Sequence, residues 1–393
     1  MWIFVILLLT DIYIFRRLVS DMKQRSKALQ AVVLTLKAIQ TLVLVWLIVR
    51  LVSYRGEFAD PANAYRYIVF GALAALIITV GSLYLVTSIG TRLLGRILHR
   101  RLSGLVLTNI IISGVLLILF ADSYFRQRLD TVVVRQDITV SNLDSRLDGL
   151  KIVLISDLHL SSWHGHYDRL DRVVSAINAE QPDLLINTGD FITFGWQEFG
   201  SCDTLLRKAT AAIGAFAILG NHDDGTYHPG YTRSYGQQCM TKLSEKVASS
   251  GCTLLSDTTV VTEHNGARIA ISGIVTHGHH LNMRYGNFDR AFDLVPDSVF
   301  SLLLIHDPEA WDVAAQDDRM PKLTLAGHTH GMQAGLPFPG GRISPASFYH
   351  KYWGGFYSKG DKYLYVTTGM GTIGMALRIF MPPEIVVITL KDK

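Results

Sequence analysis

Five apolar runs, each ending in residues that can bind a cation, constrain this chain more than any other feature of it. Residues 151–159 read Lys-Ile-Val-Leu-Ile-Ser-Asp-Leu-His. A short run rich in β-branched residues predicts a buried strand, and this one delivers Asp157 and His159. On an extended chain, residues two apart point to one side, so the pair can grip one object together. The design recurs in the runs that end at Asp190, at Asn221 and His222, at His306, and at His328 and His330. Open α/β sheets place their ligands at the carboxyl ends of the strands. Carboxylate, imidazole and amide donors together suit a small cation better than they suit packing.

The intervening sequence alternates in type. Residues 166–180 carry Leu170, Val173, Val174 and Ile177 on one helical face, and Gln181-Pro182 ends that helix. Strand, helix, strand predicts a βαβ unit with a parallel pair. Further helices are predicted over 203–213, 233–249 and 308–315. Asn265-Gly266 marks a hairpin, and 363–367 and 385–390 read as the last strands. Residues 131–134 and 137–140 predict a first strand or hairpin. Three cysteines, Cys202, Cys239 and Cys252, lack a zinc spacing. They read as buried thiols, with a Cys239–Cys252 bridge as the alternative in an oxidising compartment.

Nearly half of the 393 residues are hydrophobic, and the excess sits in residues 1–125. A span needs about 20 apolar residues. Segments 31–53, 67–90 and 104–121 qualify, and 1–15 reads as a shorter retained helix, with a cleaved signal peptide as its rival. The loop after the first segment holds Arg16, Arg17, Lys23, Arg25 and Lys27; the loop after the third holds Arg92, Arg96, Arg100 and Arg101. The middle loop mixes Arg50, Arg55 and Arg66 with Glu57 and Asp60. The positive-inside rule therefore puts the first and third loops in the cytoplasm and residues 126–393 outside it. Asp11, Lys37 and Asn109 are polar groups in or near spans, read as interhelical hydrogen-bonding residues. A net charge of +4 gives no basis for a nucleic-acid partner.

Asp-Leu-His, Gly-Asp, Gly-Asn-His-Asp, a lone His and Gly-His-Thr-His, in that order, resemble the calcineurin-like metallophosphoesterases, specifically a bacterial membrane-associated branch. The resemblance covers 151–393. It implies an α/β fold, a two-sheet αββα sandwich, preceded here by a bundle of about four transmembrane helices. The domains are then 1–125 (transmembrane), 126–150 (linker and first strand) and 151–393 (metallophosphoesterase).

Carried onto matching positions, the resemblance assigns one metal to Asp157, His159 and His330. A second goes to Asn221, His306 and His328, with Asp190 bridging the two. It gives His222 the phosphoryl oxygens or the leaving group, and has Asp223 orient the His222 ring. The cofactors implied are two divalent ions, of Mn, Zn, Fe or Mg type, which can hold a phosphoryl group and activate water. The function implied is a membrane-anchored phosphoester hydrolase of the bacterial inner membrane, with its domain on the extracytoplasmic side. Candidate substrates are lipid-linked or membrane-surface phosphoesters or pyrophosphates. The alternative is a non-catalytic membrane sensor or binding protein.

Gly189, Gly220 and Gly327 precede ligands, where a tight bend is expected. His164, His166 and the group His277, His279 and His280 are secondary candidates for contact with substrate. Gly369, Gly371 and Gly374 match a dinucleotide pattern, but Pro382 and Pro383 forbid the helix it requires. That stretch instead resembles a Gly-rich loop of the membrane-associated branch, with Gly371 and Arg378 at the border of the site. Met332 stands where many such proteins have Gly.

Overall fold

The computed structural model describes residues 26–52, 56–99, 105–277, 284–339 and 341–393, with scattered positions before residue 24. Two compact units emerge. One comprises Met1–Gly56 and Val69–Asp122, the other Glu57–Ile68 and Ser123–Lys393.

The helices Lys27–Val52, in the first unit, and Pro61–Ile97, which belongs to it from Val69 onward, have 26 and 37 residues. Both are long and apolar enough to cross a membrane. The helix Leu105–Asp122 adds 18 residues. The predicted segment 1–15 lies mostly outside the described residues, so two spans are supported where about four were expected. Lys37 is buried against the Asp11 carboxylate, which also accepts from Gln40 Nε2 at 3.0 Å and Thr41 Oγ1 at 2.6 Å. These polar groups satisfy one another, as buried charges do.

Among its described residues the second unit holds two six-stranded sheets, beside two short strand pairs. In chain order the strands of the two sheets are β1 (Val132–Val140), β2 (Lys151–Ile155), β3 (Leu184–Asn187), β4 (Gly214–Ala217), β5 (Cys252–Leu254), β6 (Thr258–His264) and β7 (Ala267–Gly273). Then come β8 (Phe300–Leu304), β9 (Leu323–Ala326), β10 (Gly355–Lys359), β11 (Lys362–Val366) and β12 (Glu384–Asp392). One sheet runs β1-β12-β2-β3-β4-β5 and the other β10-β11-β9-β8-β7-β6. Strand alternation builds the layers. Ile152 and Leu154 face the core between the sheets, beside Leu302, Leu304 and Leu325. Val153 and Ile155 face the helices Tyr167–Ala179 and Arg233–Ser249 through Leu170, Val173 and Leu243. Trp311 and Phe292 cover the outer face of the second sheet. A strand apolar on both faces is one buried on both faces, which is why the ligand-bearing runs look unbroken.

Residues 132–140 form one strand, paired in parallel with β12, which is the first-strand alternative of the two expected. One expectation is corrected. The helix predicted over 203–213 is only Cys202–Leu206. The Asn178 side chain ends it, donating to Lys208 O and accepting from Thr210 N, both at 2.8 Å. All three cysteines are free.

Residues 57–68, which look like a connector between spans, belong to the domain. Phe58 and Tyr67 pack edge-on to Phe194, with ring centroids 4.7 and 5.4 Å away. Arg128 donates to Tyr65 Oη at 3.0 Å and to Ser162 O at 3.1 Å.

Candidate metal centre

Strands β2, β3 and β4 run parallel, as do β7, β8 and β9. Their carboxyl ends therefore lie along one edge of each sheet, and side chains from the two edges meet. Asp157, His159 and His330 bring ligand atoms within 4.8 Å of one another; Asp190, His306 and His328 do the same. Asp190 Oδ2 lies 3.1 Å from His306 Nε2 and 3.7 Å from His159 Nε2, which joins the groups. His159 Nε2 and His330 Nε2 are 3.1 Å apart, and Asp157 Oδ1 is 3.3 Å from His330 Nε2. Asn221 supplies a buried Oδ1 with no hydrogen-bond partner among the described residues. Six of the seven residues assigned by resemblance fall in these two groups; Asn221 follows Gly220, on which a Cβ would sit 2.8 Å from His306 Cε1.

The route differs from the one the sequence suggests. Asp157 and His159 do not share an extended strand, because β2 stops at Ile155. Both have left-handed backbones, with φ of 53° and 38°, and so do Asp190, His328 and His330, at 56°, 72° and 51°. Such conformations cost about 1–3 kcal/mol each and persist where surrounding structure fixes them. Here the ligand loops brace one another. Asp157 N donates to Gly189 O at 2.8 Å, His159 N to Asp190 O at 3.1 Å, and Gly371 N to Asp157 O at 2.7 Å. His328 N donates to the Asp157 carboxylate at 3.0 Å.

The glycines serve close approach as much as bending. Gly189 has φ of 101°. A Cβ on Gly220 would sit 2.2 Å from Asp190 Oδ1, and one on Gly327 would sit 2.4 Å from Asp157 Oδ2. One on Gly371 would meet Leu158 O at 2.2 Å, which puts that loop against the first ligand loop.

Burial by itself would raise both carboxylates. The imidazoles of His330 and His306 outweigh it at Asp157, and those of His306 and His222 at Asp190, so both are held below the ordinary carboxylate range. Burial would lower His306, but the Asp190 carboxylate lifts it to about 10. Burial, with His306 alongside, takes His328 down to about 4, and burial with His330 alongside takes His159 well below the usual imidazole range. His306 Nδ1 meets Thr188 O at 2.8 Å and His159 Nδ1 meets Thr193 Oγ1 at 3.0 Å, leaving each Nε2 to the site. Ionised carboxylates, convergent imidazole nitrogens and an unpartnered amide oxygen fit divalent cations.

Asp223 does not orient the His222 ring. Its carboxylate accepts from the backbone N–H groups of Asp190, Gly220, Phe191 and Ile192 at 2.8–3.3 Å. It thus ties the Asp190 loop to the Asn221 loop. The His222 ring is fixed instead by Nδ1 to Thr193 O at 2.7 Å and by stacking on Tyr227, with centroids 4.0 Å apart. Tyr227, whose Oη also accepts from Asn221 Nδ2 at 2.9 Å, belongs to none of the sequence motifs. Its only signal is its position shortly after Gly-Asn-His-Asp.

Arg378 is fully buried. It donates to Gly371 O, Thr368 O and Met381 O at 2.7–3.1 Å and lies 3.3 Å from His330 Nδ1. His164 sits 5.9 Å from the Tyr65 ring, and His166 precedes the helix Tyr167–Ala179; neither joins the ligand groups. The His277 side chain and His279 and His280 lie outside the described residues. Met332, two residues after His330, is 45% exposed.

Residues 150–332 match the family model for calcineurin-like phosphoesterases. The chain is 36% identical to the uncharacterized metallophosphoesterase YkuE of Bacillus subtilis, over 62% of this chain and 80% of that protein. It is 28% identical to a Danio rerio transmembrane protein with metallophosphoesterase domain, over 66% of this chain but only 57% of that longer relative. It is 27% identical to the UDP-2,3-diacylglucosamine pyrophosphatase LpxG of Chlamydia muridarum, over 61% of this chain and 83% of that one. The chain therefore belongs to the calcineurin-like phosphoesterase family and is a metal-dependent phosphoester hydrolase.

Proposed function

We propose that the protein is an integral hydrolase of the bacterial inner membrane. Its two-metal site faces the extracytoplasmic side and cleaves lipid-linked or membrane-surface phosphoesters or pyrophosphates. The observation that carries this reading is the meeting of two ligand groups through Asp190, with the Asn221 oxygen free to complete the second. Asp157, His159 and His330 would hold one ion, Asn221, His306 and His328 the other, with Asp190 shared. Ions there supply Lewis acidity toward a phosphoryl oxygen and lower the pKa of an attacking water.

The protein's own groups do the rest. His222 donates Nδ1–H to Thr193 O, so its Nε2 is the atom available to a phosphoryl or leaving-group oxygen. Tyr227 holds that ring flat and turns the Asn221 amide so that its oxygen, not its nitrogen, is offered. Asp223 fixes the spacing of the Asp190 and Asn221 loops.

Two observations support the membrane side of the reading. The segment Glu57–Ile68, in the loop that the charge distribution puts outside the cytoplasm, lies in the same compact unit as the domain. And the similar LpxG is a pyrophosphatase of a diacylated sugar nucleotide by its name.

The test is wild type against Asp190→Ala, both full-length in vesicles, on membrane lipid extracts. Lipid phosphoesters consumed by wild type and spared by the variant are expected. An enzyme that turns over soluble aryl phosphoesters but consumes nothing in the extracts would contradict the substrate assignment.

A further inference from the structure

We propose that the paired strands Leu336–Phe338 and Gly341–Ile343 dock into the bilayer surface beside the metal centre, so that the site opens onto the membrane. This rests on the membrane-anchored reading above and adds the surface through which substrate would arrive.

The pairing sets Leu336 opposite Ile343 and Phe338 opposite Gly341, with Pro337 opposite Arg342. Side chains alternate along a strand and directly opposed residues share a face. Leu336, Phe338 and Ile343 thus form one face, and Pro337 and Arg342 the other. Arg342 Nη1 lies 3.9 Å from Met381 Sδ, so its face is turned to the domain. The apolar face is uncovered: Leu336 is 63% exposed, Ile343 57% and Phe338 47%. Phe348, just beyond, is 83% exposed. A contiguous apolar surface of this kind marks a docking site.

What covers it follows from the chain at its base. Gly335 N donates to Ile379 O at 2.9 Å and Ile379 N to Gln333 O at 2.8 Å. The loop containing Ile379 is in turn bonded to the chain where it leaves the apolar helices. Ala376 N donates to Ile68 O at 3.0 Å, Arg378 N to Ser123 Oγ at 2.8 Å, and Phe380 N to Gln127 Oε1 at 2.6 Å. Ile68 lies in the second turn of Pro61–Ile97, a helix long enough to cross a membrane, and Ser123 directly follows Leu105–Asp122. The base of the strand pair is therefore about one strand spacing, ~5 Å, from a loop pinned to both helix ends. Phe125, 72% exposed, sits at the same junction, as aromatic residues do at membrane interfaces. On the other side, Ser344 Oγ donates to Gly331 O at 2.7 Å, and Gly331 follows the ligand His330. The helix ends, the apolar face and the ligand loop are thus joined within a few residues, and a lipid surface is the occupant this continuity favours over a second protein.

The test uses the full-length protein in phosphatidylcholine vesicles, with a bimane label on Ile343→Cys. Val261→Cys, on strand β6 with a native side chain 37% exposed, is the control, and labelled wild type is the blank. Lipids brominated on the acyl chain should quench the label at 343 at least about twofold more than at 261, as for a side chain in the interface. Equal quenching would overturn the proposal. So would shielding that appears in detergent and disappears on protein dilution, since that would mean a second copy covers the face. A Leu336→Asp/Ile343→Asp variant should keep wild-type turnover of a soluble aryl phosphodiester and lose about tenfold on a phosphodiester presented in vesicles. Equal losses on both would count against docking. If wild type cleaves no lipid yet the label at 343 is selectively quenched, the substrate assignment fails and the docking surface stands.

Discussion

Replacing Asp223 by asparagine separates a framing role from a ring-orienting one. The carboxylate accepts four buried backbone N–H groups, those of Asp190 and Gly220 on Oδ2 and those of Phe191 and Ile192 on Oδ1. Asparagine keeps the shape and one acceptor oxygen, but turns the other position into a donor. Two N–H groups lose their partner, at about 1–3 kcal/mol each, so the loss is about 2–6 kcal/mol. At about 2–4 °C per kcal/mol for a domain of this size, the unfolding midpoint should fall by about 4–24 °C. The same change loosens the Asp190 loop, so bound metal should fall with it. The assay is thermal unfolding and metal content of the detergent-purified full-length protein, beside turnover of an aryl phosphodiester. His222→Asn is the contrast: turnover should drop about 10²–10⁴-fold, with midpoint and metal content unchanged. If Asp223→Asn instead kept the wild-type midpoint and metal content and lost only turnover, the framing role would be refuted.

Gly220→Ala would drive a methyl into the Asp190 carboxylate at 2.2 Å, and elemental analysis should find at least one ion lost per chain. Tyr227→Phe removes the acceptor for the Asn221 amide, worth about 1 kcal/mol, and should lower turnover several-fold with the fold intact on circular dichroism. Arg378→Met leaves the Gly371, Thr368 and Met381 carbonyls without their donor. A drop of several degrees in the unfolding midpoint and faster metal loss to a chelator are expected. Reporters fused after residue 125 should be active only as periplasmic reporters; cytoplasmic activity would reverse the topology.

The proposed ligands stand out in the sequence because each follows an apolar strand, and burial on both faces leaves an unbroken apolar run. How they converge is not legible there. Asp157 and His159 look like neighbours on one strand, whereas five of the seven proposed ligands stand in left-handed backbone conformations held by contacts from distant loops. A contact between Asp157 and Gly371, or between Asp223 and Asp190, has no local signature. Asp223 misled for a related reason: next to a catalytic-type histidine it suggests a partner for the ring, but its four donors come from backbone N–H groups, which every residue type but proline carries. Phe58 and Tyr65 likewise read as a connector between spans, because their partners Phe194 and Arg128 lie far along the chain.

The most direct measurement is anomalous X-ray scattering from metal-loaded crystals of the full-length protein. Two ions are expected about 3.5–4 Å apart, one among Asp157, His159 and His330, the other among Asn221, His306 and His328, with Asp190 touching both. A single ion, or a pair bound away from Asp190, would contradict the two-metal centre.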